Sequence, residues 1–190
     1  MELTALTELD AVNEIISIIG ESPINTLEDL KNVDAINALR ILRSVSRQEQ
    51  ARGWSFNTIA EHTLTPDAFS GHIRWQDNYL FLKGSGGEKL IHNGDYVKDL
   101  STNTITFKNP ITCEAVLLVP FEELPDAMRT YIITKTAFKF QSRYFGDDGL
   151  AQVTSQEIQE AWMHLQEYEM DNNDYNILNN TDVTNLKQRG

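Results

Sequence analysis

Several short stretches carry residue types that could do chemistry. Gly84-Ser85-Gly86-Gly87-Glu88-Lys89-Leu90 has the glycines and the lysine of a phosphate loop. In such a loop the backbone N–H groups cradle phosphates and the lysine reaches the outer ones. The spacing fails, because Lys89 is neither preceded by Gly nor followed by Ser or Thr. The stretch reads instead as a flexible loop between strands. Asp171 to Asn176 suggests a calcium loop, but Tyr175 occupies a ligand position and Asn176 stands where Gly is required. Asp182 stands where a Glu should close the coordination, so this reading is rejected too.

His62, His72, His92 and His164 show no metal-ligand pairing, and Cys113 is the single cysteine. Neither an intrachain disulfide nor a cysteine zinc site can be built from it. His62 and His72 read as exposed strand or loop residues. Glu122/Glu123 and Asp147/Asp148 are adjacent acids, whereas glycosidase carboxyl groups must face each other across the substrate. The first pair reads as helix-start charge and the second as a turn. No nucleophile–base constellation emerges, so the residues predict neither a catalytic site nor a cofactor or metal.

The elements that position these residues centre on Pro125 to Phe145. Proline suits the first turn of a helix, and Glu122, Glu123 and Asp126 favour its positive end. Leu124, Met128, Tyr131 and Ile132 share one face, and Ala137, Phe138, Tyr144 and Phe145 carry the apolar surface further round. A helix apolar on so much of its circumference packs on more than one neighbour. Its remaining stripe is basic, with Arg129, Lys135, Lys139 and Arg143 on one side. These four are predicted to pair with acids of another helix or another subunit.

Before this helix, residues 5–19 have helical periodicity through Leu9, Val12, Ile16 and Ile19, with Gly20 and Pro23 as stop signals. Residues 34–52 form a second helix, with Asn32 or Asp34 as N-cap and Gly53 at its end. Ala35, Ala38, Leu39, Leu42 and Val45 face inward, and Arg40, Arg43 and Arg47 form a basic row. From Trp54 the period changes. Trp54, Phe56, Thr58 and Ala60 alternate as a strand would, as does His72 to Leu82. Asn93-Gly94 favours a type I′ hairpin joining Lys89–His92 to Tyr96–Asp99. Ser101-Thr102-Asn103 is a further turn before Ile105–Phe107, and Cys113 to Val119 suits a buried strand.

After the central helix, Gly146-Asp147-Asp148-Gly149 reads as a turn. Thr154 and Glu157 match a capping box opening a fourth helix, whose face is Ile158, Ala161, Trp162, Leu165 and Tyr168. The tail beyond Asp171 has little periodicity, and Tyr175, Ile177 and Leu178 are isolated apolar anchors in it. The expected fold is α+β. Residues 1–53 and 121–170 are helical pairs forming one bundle, 54–120 an antiparallel β insert, and 171–190 an extended C-terminal arm.

At 190 residues the chain is large enough for a real core. It has no run of about 18 apolar residues, which argues against a membrane span. The acidic N-terminus does not resemble a signal peptide. The net charge of −12 is uneven, at −7 over residues 1–30, +2 over 31–145 and −7 over 146–190. Acidic ends flanking a basic middle favour packing of terminal on central helices. An acidic chain is a poor candidate for gripping DNA, although it can guide DNA.

Several collinear segments together resemble the tail tubular protein A family, the head–tail adaptors of short-tailed bacteriophages. They are Ile18 to Pro23 with Thr26-Leu27-Glu28, then Arg52 to Asn57, Asp77 to Leu80 and Asn93 to Val97. Ile133-Thr134-Lys135, Arg143 to Gly146, Glu167 to Asp171 and Tyr175-Asn176 complete the set. The resemblance implies a non-enzymatic virion protein, assembled in the host cytoplasm as a dodecameric ring. That ring would join the portal protein to the tail nozzle and let double-stranded DNA pass without sequence recognition. On that footing Arg40, Arg43, Arg47, Arg129, Lys135, Lys139, Arg143, Tyr175, Ile177 and Leu178 become interface candidates. The alternative is a tail-associated hydrolase of envelope or capsule glycans, supported by the abundance of carboxylates alone.

Overall fold

Thr7 opens the first helix. In the computed structural model, which describes residues 6–28, 31–144 and 148–172, α1 spans Glu8–Ser17 behind a complete capping box. The Asp10 N–H donates to the Thr7 hydroxyl, and the Thr7 N–H donates to the Asp10 carboxylate. Gly20, with φ of 78°, ends the segment in the left-handed region, as a glycine there can do without strain. α2 spans Val33–Gln50 and starts at Asn32, whose side chain accepts from the Asp34 and Ala35 N–H groups.

The expected strand at 54–60 begins late. Asn57 is the reason: its amide accepts from the Trp54 N–H and donates to the Gln50 and Leu117 carbonyls, so a side-chain-locked turn displaces the ladder. The Trp54 and Phe56 alternation reflects packing of both rings on the helical core instead. β1 is therefore Thr58–Leu64, followed by β2 (Tyr79–Gly84), β3 (Leu90–Asn93), β4 (Tyr96–Asp99) and β5 (Ile111–Leu117). The His72–Leu82 alternation likewise yields a strand only from Tyr79, with isolated bridges at His72 and Arg74 before it. Ile105–Phe107 forms no strand; Thr106 within it and Thr104 before it each make a single isolated bridge. The expected strand at 113–119 lies two residues earlier and is the centre of an antiparallel sheet ordered β1-β5-β2.

β3 and β4 pair as a second, two-stranded sheet with Asn93 opposite Tyr96. The turn residues are thus Gly94 and Asp95, and only Gly94 has positive φ, at 64°. That pattern fits a type II′ turn, with Gly first, rather than the expected I′ turn, which needs positive φ at both positions.

A short 3₁₀ turn, Phe121–Glu123, leads into α3, Asp126–Tyr144. α3 packs against α1, α2 and α4, as its broad apolar face requires. Phe140 is the largest of the side chains in that core that are fully buried, whereas Phe138 is only half-buried. α4 spans Asp148–Asn172. Thr154 therefore lies inside the helix rather than at its start, because nothing between Gly149 and Ser155 breaks it. Ala161 and Leu165 are buried, with Ile158 and Trp162 packed beside them. The Gly146-Asp147 part of the expected turn lies outside the described residues.

Two apolar clusters result. One fills the helical bundle, and the other joins Leu64, Ile73, Tyr79, Leu82, Val97 and Ile111 inside a β lobe. Two amides secure the junction between lobe and bundle. Asn57 makes the contacts given above. Gln50, fully buried, accepts from the Val119 N–H at 2.8 Å and donates to its carbonyl at 3.0 Å.

Candidate functional site

Without a catalytic constellation, the chemistry of this chain lies in its charged and aromatic surfaces. Glu49, on the last turn of α2, is buried and faces Lys135 Nζ at 2.8 Å and Arg52 Nε at 3.5 Å. Lys135 also donates to the Tyr131 hydroxyl at 3.1 Å. Burial alone would lower the Lys135 pKa, but the hydrogen bonds with Glu49 and Tyr131 outweigh it and the net direction is upward.

The rest of the α3 stripe divides. Arg129 is buried and donates to the Glu122 carbonyl at 3.0 Å and to Asp126 at 3.2 Å, so it is spent fastening the 3₁₀ turn to its own helix. Lys139 reaches Gln48 at 3.2 Å, and Arg143 is exposed. On α2, Arg43 grips Glu8 with two hydrogen bonds of 2.8 and 3.1 Å, which raises its pKa. Glu122 accepts the Glu8 N–H, so α1, α2 and the 3₁₀ turn meet at this pair. Arg40 and Arg47 are exposed and make no ion pair among the described residues. A cleft of about 380 Å³ lies between Arg43, Arg47, Val119 and Phe121. Tyr175, Ile177 and Leu178 lie outside the described residues.

Sequence reasoning missed the aromatic surfaces. Trp54 and Trp162 meet edge to face with centroids 5.7 Å apart, and the Arg52 guanidinium sits 5.1 Å over the Trp162 ring. With Gln166, Glu169 and Met170 they line a groove of about 710 Å³ along the end of α4. Glu169 accepts the Ser55 N–H at 2.7 Å and its hydroxyl at 2.9 Å. Among the described residues it is the one carboxylate lining that groove, whereas glycan hydrolysis requires two acting together.

On the β lobe, His62 and His72 are half-buried rather than exposed: His72 packs on Tyr96, and His62 and His92 end an aromatic ladder. His62 Nε2 lies 2.9 Å from the Tyr79 hydroxyl, Tyr79 meets Trp75 edge to face, and Trp75 stacks on His92 at 4.7 Å. Burial raises the pKa of Tyr79 and of the Cys113 thiol below it. The Gly84–Leu90 stretch closes on itself, the Glu88 carboxylate accepting the Gly86 N–H at 3.0 Å. Among the described residues, no cluster of His, Cys, Asp and Glu could hold a metal ion. No described helix is long and apolar enough to cross a membrane.

The most exposed ring of the lobe is Phe69, wholly exposed on a loop held by several hydrogen bonds. The Asp67 carboxylate accepts the Phe69 and Ser70 N–H groups and the Ser70 hydroxyl at 2.8–3.1 Å. These bonds, the Ser70 N–H first, hold the Asp67 pKa below the usual carboxylate range.

The family model described as tail tubular protein matches residues 9–175, a span covering both helical pairs and the whole lobe. The chain belongs to that family. A curated relative, tail tubular protein A of Klebsiella phage KP34, is 27% identical over 145 residues, covering 75% of this chain and 76% of the relative. A tail tubular protein is a structural component of the phage tail, so the surfaces above belong to a virion part that assembles with other tail proteins.

Proposed function

We propose that this chain is the subunit of a head–tail adaptor: a dodecameric ring joining portal to tail nozzle, assembled in the host cytoplasm, with a channel for DNA. The observation that carries the reading is the family match over residues 9–175. The charge layout agrees with it. Arg40 and Arg47 stand exposed on α2, while residues 155–172 of α4 hold five acids and neither Lys nor Arg. Such faces attract each other between neighbouring copies and fix their register. Arg40, Arg43, Arg47, Lys135, Lys139 and Arg143 contribute to that contact in this reading. Arg129 contributes only through the shape of its own helix. The acidic chain ends discourage phosphate from binding, which suits DNA that must slide.

In the same reading residues 54–120 act as the lobe that meets a tail partner. Residues 171–190 are an assembly arm anchored by Tyr175, Ile177 and Leu178. The test is the mass of the protein alone and after mixing with portal rings. Twelve copies per portal ring are expected, and a chain that stays monomeric beside portal rings refutes the adaptor role. Truncation after Met170 is expected to leave thermal unfolding of the isolated chain unchanged and to reduce ring formation. A truncated chain that assembles like the intact one removes the arm from the proposal.

A further inference from the structure

Phe69 buries none of its ring in its own subunit. It is wholly exposed, yet the loop beneath it is tied down on every side. Besides the three bonds to the Asp67 carboxylate, the Asp67 N–H donates to the His72 carbonyl and the Gly71 N–H to the Asp67 carbonyl. The Phe107 N–H donates to the Gly71 carbonyl. Gly71 has φ of 70°, and a side chain there would meet Thr106 and the Phe107 carbonyl at 2.7 and 3.2 Å. An aromatic ring held out rigidly has little conformational freedom to lose on binding, the property of an interface anchor. Lys108 stands beside it, lining the same shallow cleft.

The bundle of the same chain carries a receptor of matching chemistry. The half-buried Trp162 ring, edge to face with the buried Trp54, lines the groove, and Met170, 55% exposed, offers an adaptable thioether. Met163, one heptad earlier on α4 and 54% exposed, continues the same stripe. Glu167 and Asp171 are exposed on the same helix and complement Lys108.

We infer that Phe69 of one copy seats in the Trp54–Trp162–Met170 groove of the next copy. Knob and groove belong to different cores, so the contact joins unlike surfaces of identical chains. Contacts of that kind repeat head to tail and close into a ring when the rotation permits. The inference rests on the ring reading above and gives it a specific contact.

The test places benzoylphenylalanine at position 69 of the full chain and irradiates assembled rings. A cross-link to residues 52–56 or 162–170 of a second copy is expected. A cross-link to another protein, to another segment, or to nothing in rings that have formed overturns the inference. Phe69→Asp is expected to cut ring yield at least tenfold and Phe69→Leu to keep it, with both variants folding as the parent does. Wild-type yield from Phe69→Asp overturns the inference alone. Failure of the unmodified chain to form rings with portal present removes the ring reading together with it.

Discussion

The bundle and the β lobe solve the same problem by different means. In the bundle, large side chains from four helices fill one core, and polar groups are drawn in with partners, as Glu49 is with Lys135 and Gln50 with Val119, although the buried Arg129 Nε–H has none among the described residues. The lobe has a smaller core, of which Cys113 and Ala115 are small members. Its shape depends on acids that fasten turns. Asp67 holds the Phe69 loop, and Asp99 accepts the Lys89 and Ser101 N–H groups and the Thr102 hydroxyl. A region built by burial keeps much of each ring covered, as with Trp54 and Phe140, whereas one built by turns can hold a ring wholly in the open. This is why the protruding ring, Phe69, is on the lobe.

The largest expected effect tests the bundle side of that contrast. Phe140→Ala should cost about 3–5 kcal/mol of stability, read from denaturant unfolding at constant slope. Leu82→Ala, the fully buried lobe counterpart, should cost less because small neighbours such as Ala115 and Cys113 leave it fewer atoms to lose. Equal losses would mean the lobe depends on burial as much as the bundle does.

Glu49→Gln should come next. It strands the Lys135 ammonium beside a neutral amide, at a cost of about 1–3 kcal/mol, because Lys135 is partly solvated. Replacing both residues by leucine should recover part of the loss. A double variant less stable than Glu49→Gln would show that the pair is worth more than apolar packing at that place.

Acid should separate the two regions. The Thr102 hydroxyl, with the Ser101 and Lys89 N–H groups, holds the Asp99 pKa below its ordinary 3.8, against the opposing effect of burial. The folded pKa is depressed, so this stabilisation is complete above pH 3.8 and disappears as pH falls through the folded value. Asp99→Asn should weaken the lobe by about 1–2 kcal/mol at neutral pH and flatten its acid unfolding limb. Amide signals of the lobe followed by NMR would report this, and an unchanged acid limb would rule out Asp99 as its source.

The smallest effect is Phe69→Ser, which should move stability by no more than about 0.5 kcal/mol. A larger loss in the isolated chain would mean the ring has a structural role within its own subunit.

Helices were legible in the sequence because their signals are local. Asn32, Gly20 and Gly53 mark ends and the apolar spacing sets the faces, although α1 starts at Thr7, inside the expected 5–19, and α4 starts ahead of Thr154. The lobe was legible in class but not in register. Trp54 and Phe56 alternate like a strand, yet a single side chain, Asn57, turns the backbone there, and alternation cannot report a hydrogen bond made across 60 residues to Leu117. The surfaces were the least legible. Arg129 shares a stripe with Lys135 and Arg143 but is buried, because the 3₁₀ turn folds back over it. Phe69 looks like any loop residue until Asp67 is seen holding the loop open. Its clue was the run Pro66-Asp67-Ala68-Phe69-Ser70-Gly71, turn residues framing one large apolar side chain.

The two amides at the lobe–bundle junction have a mechanical consequence. The chain crosses that junction along two neighbouring strands of backbone, one near Asn57 and one from Leu117 to Val119. Gln50 and Asn57 stitch both of them to the end of α2. A pull on the lobe along those segments loads the stitches side by side, in shear, rather than opening them one after another as in peeling. An attachment of that kind favours release of the lobe in one step over opening stitch by stitch.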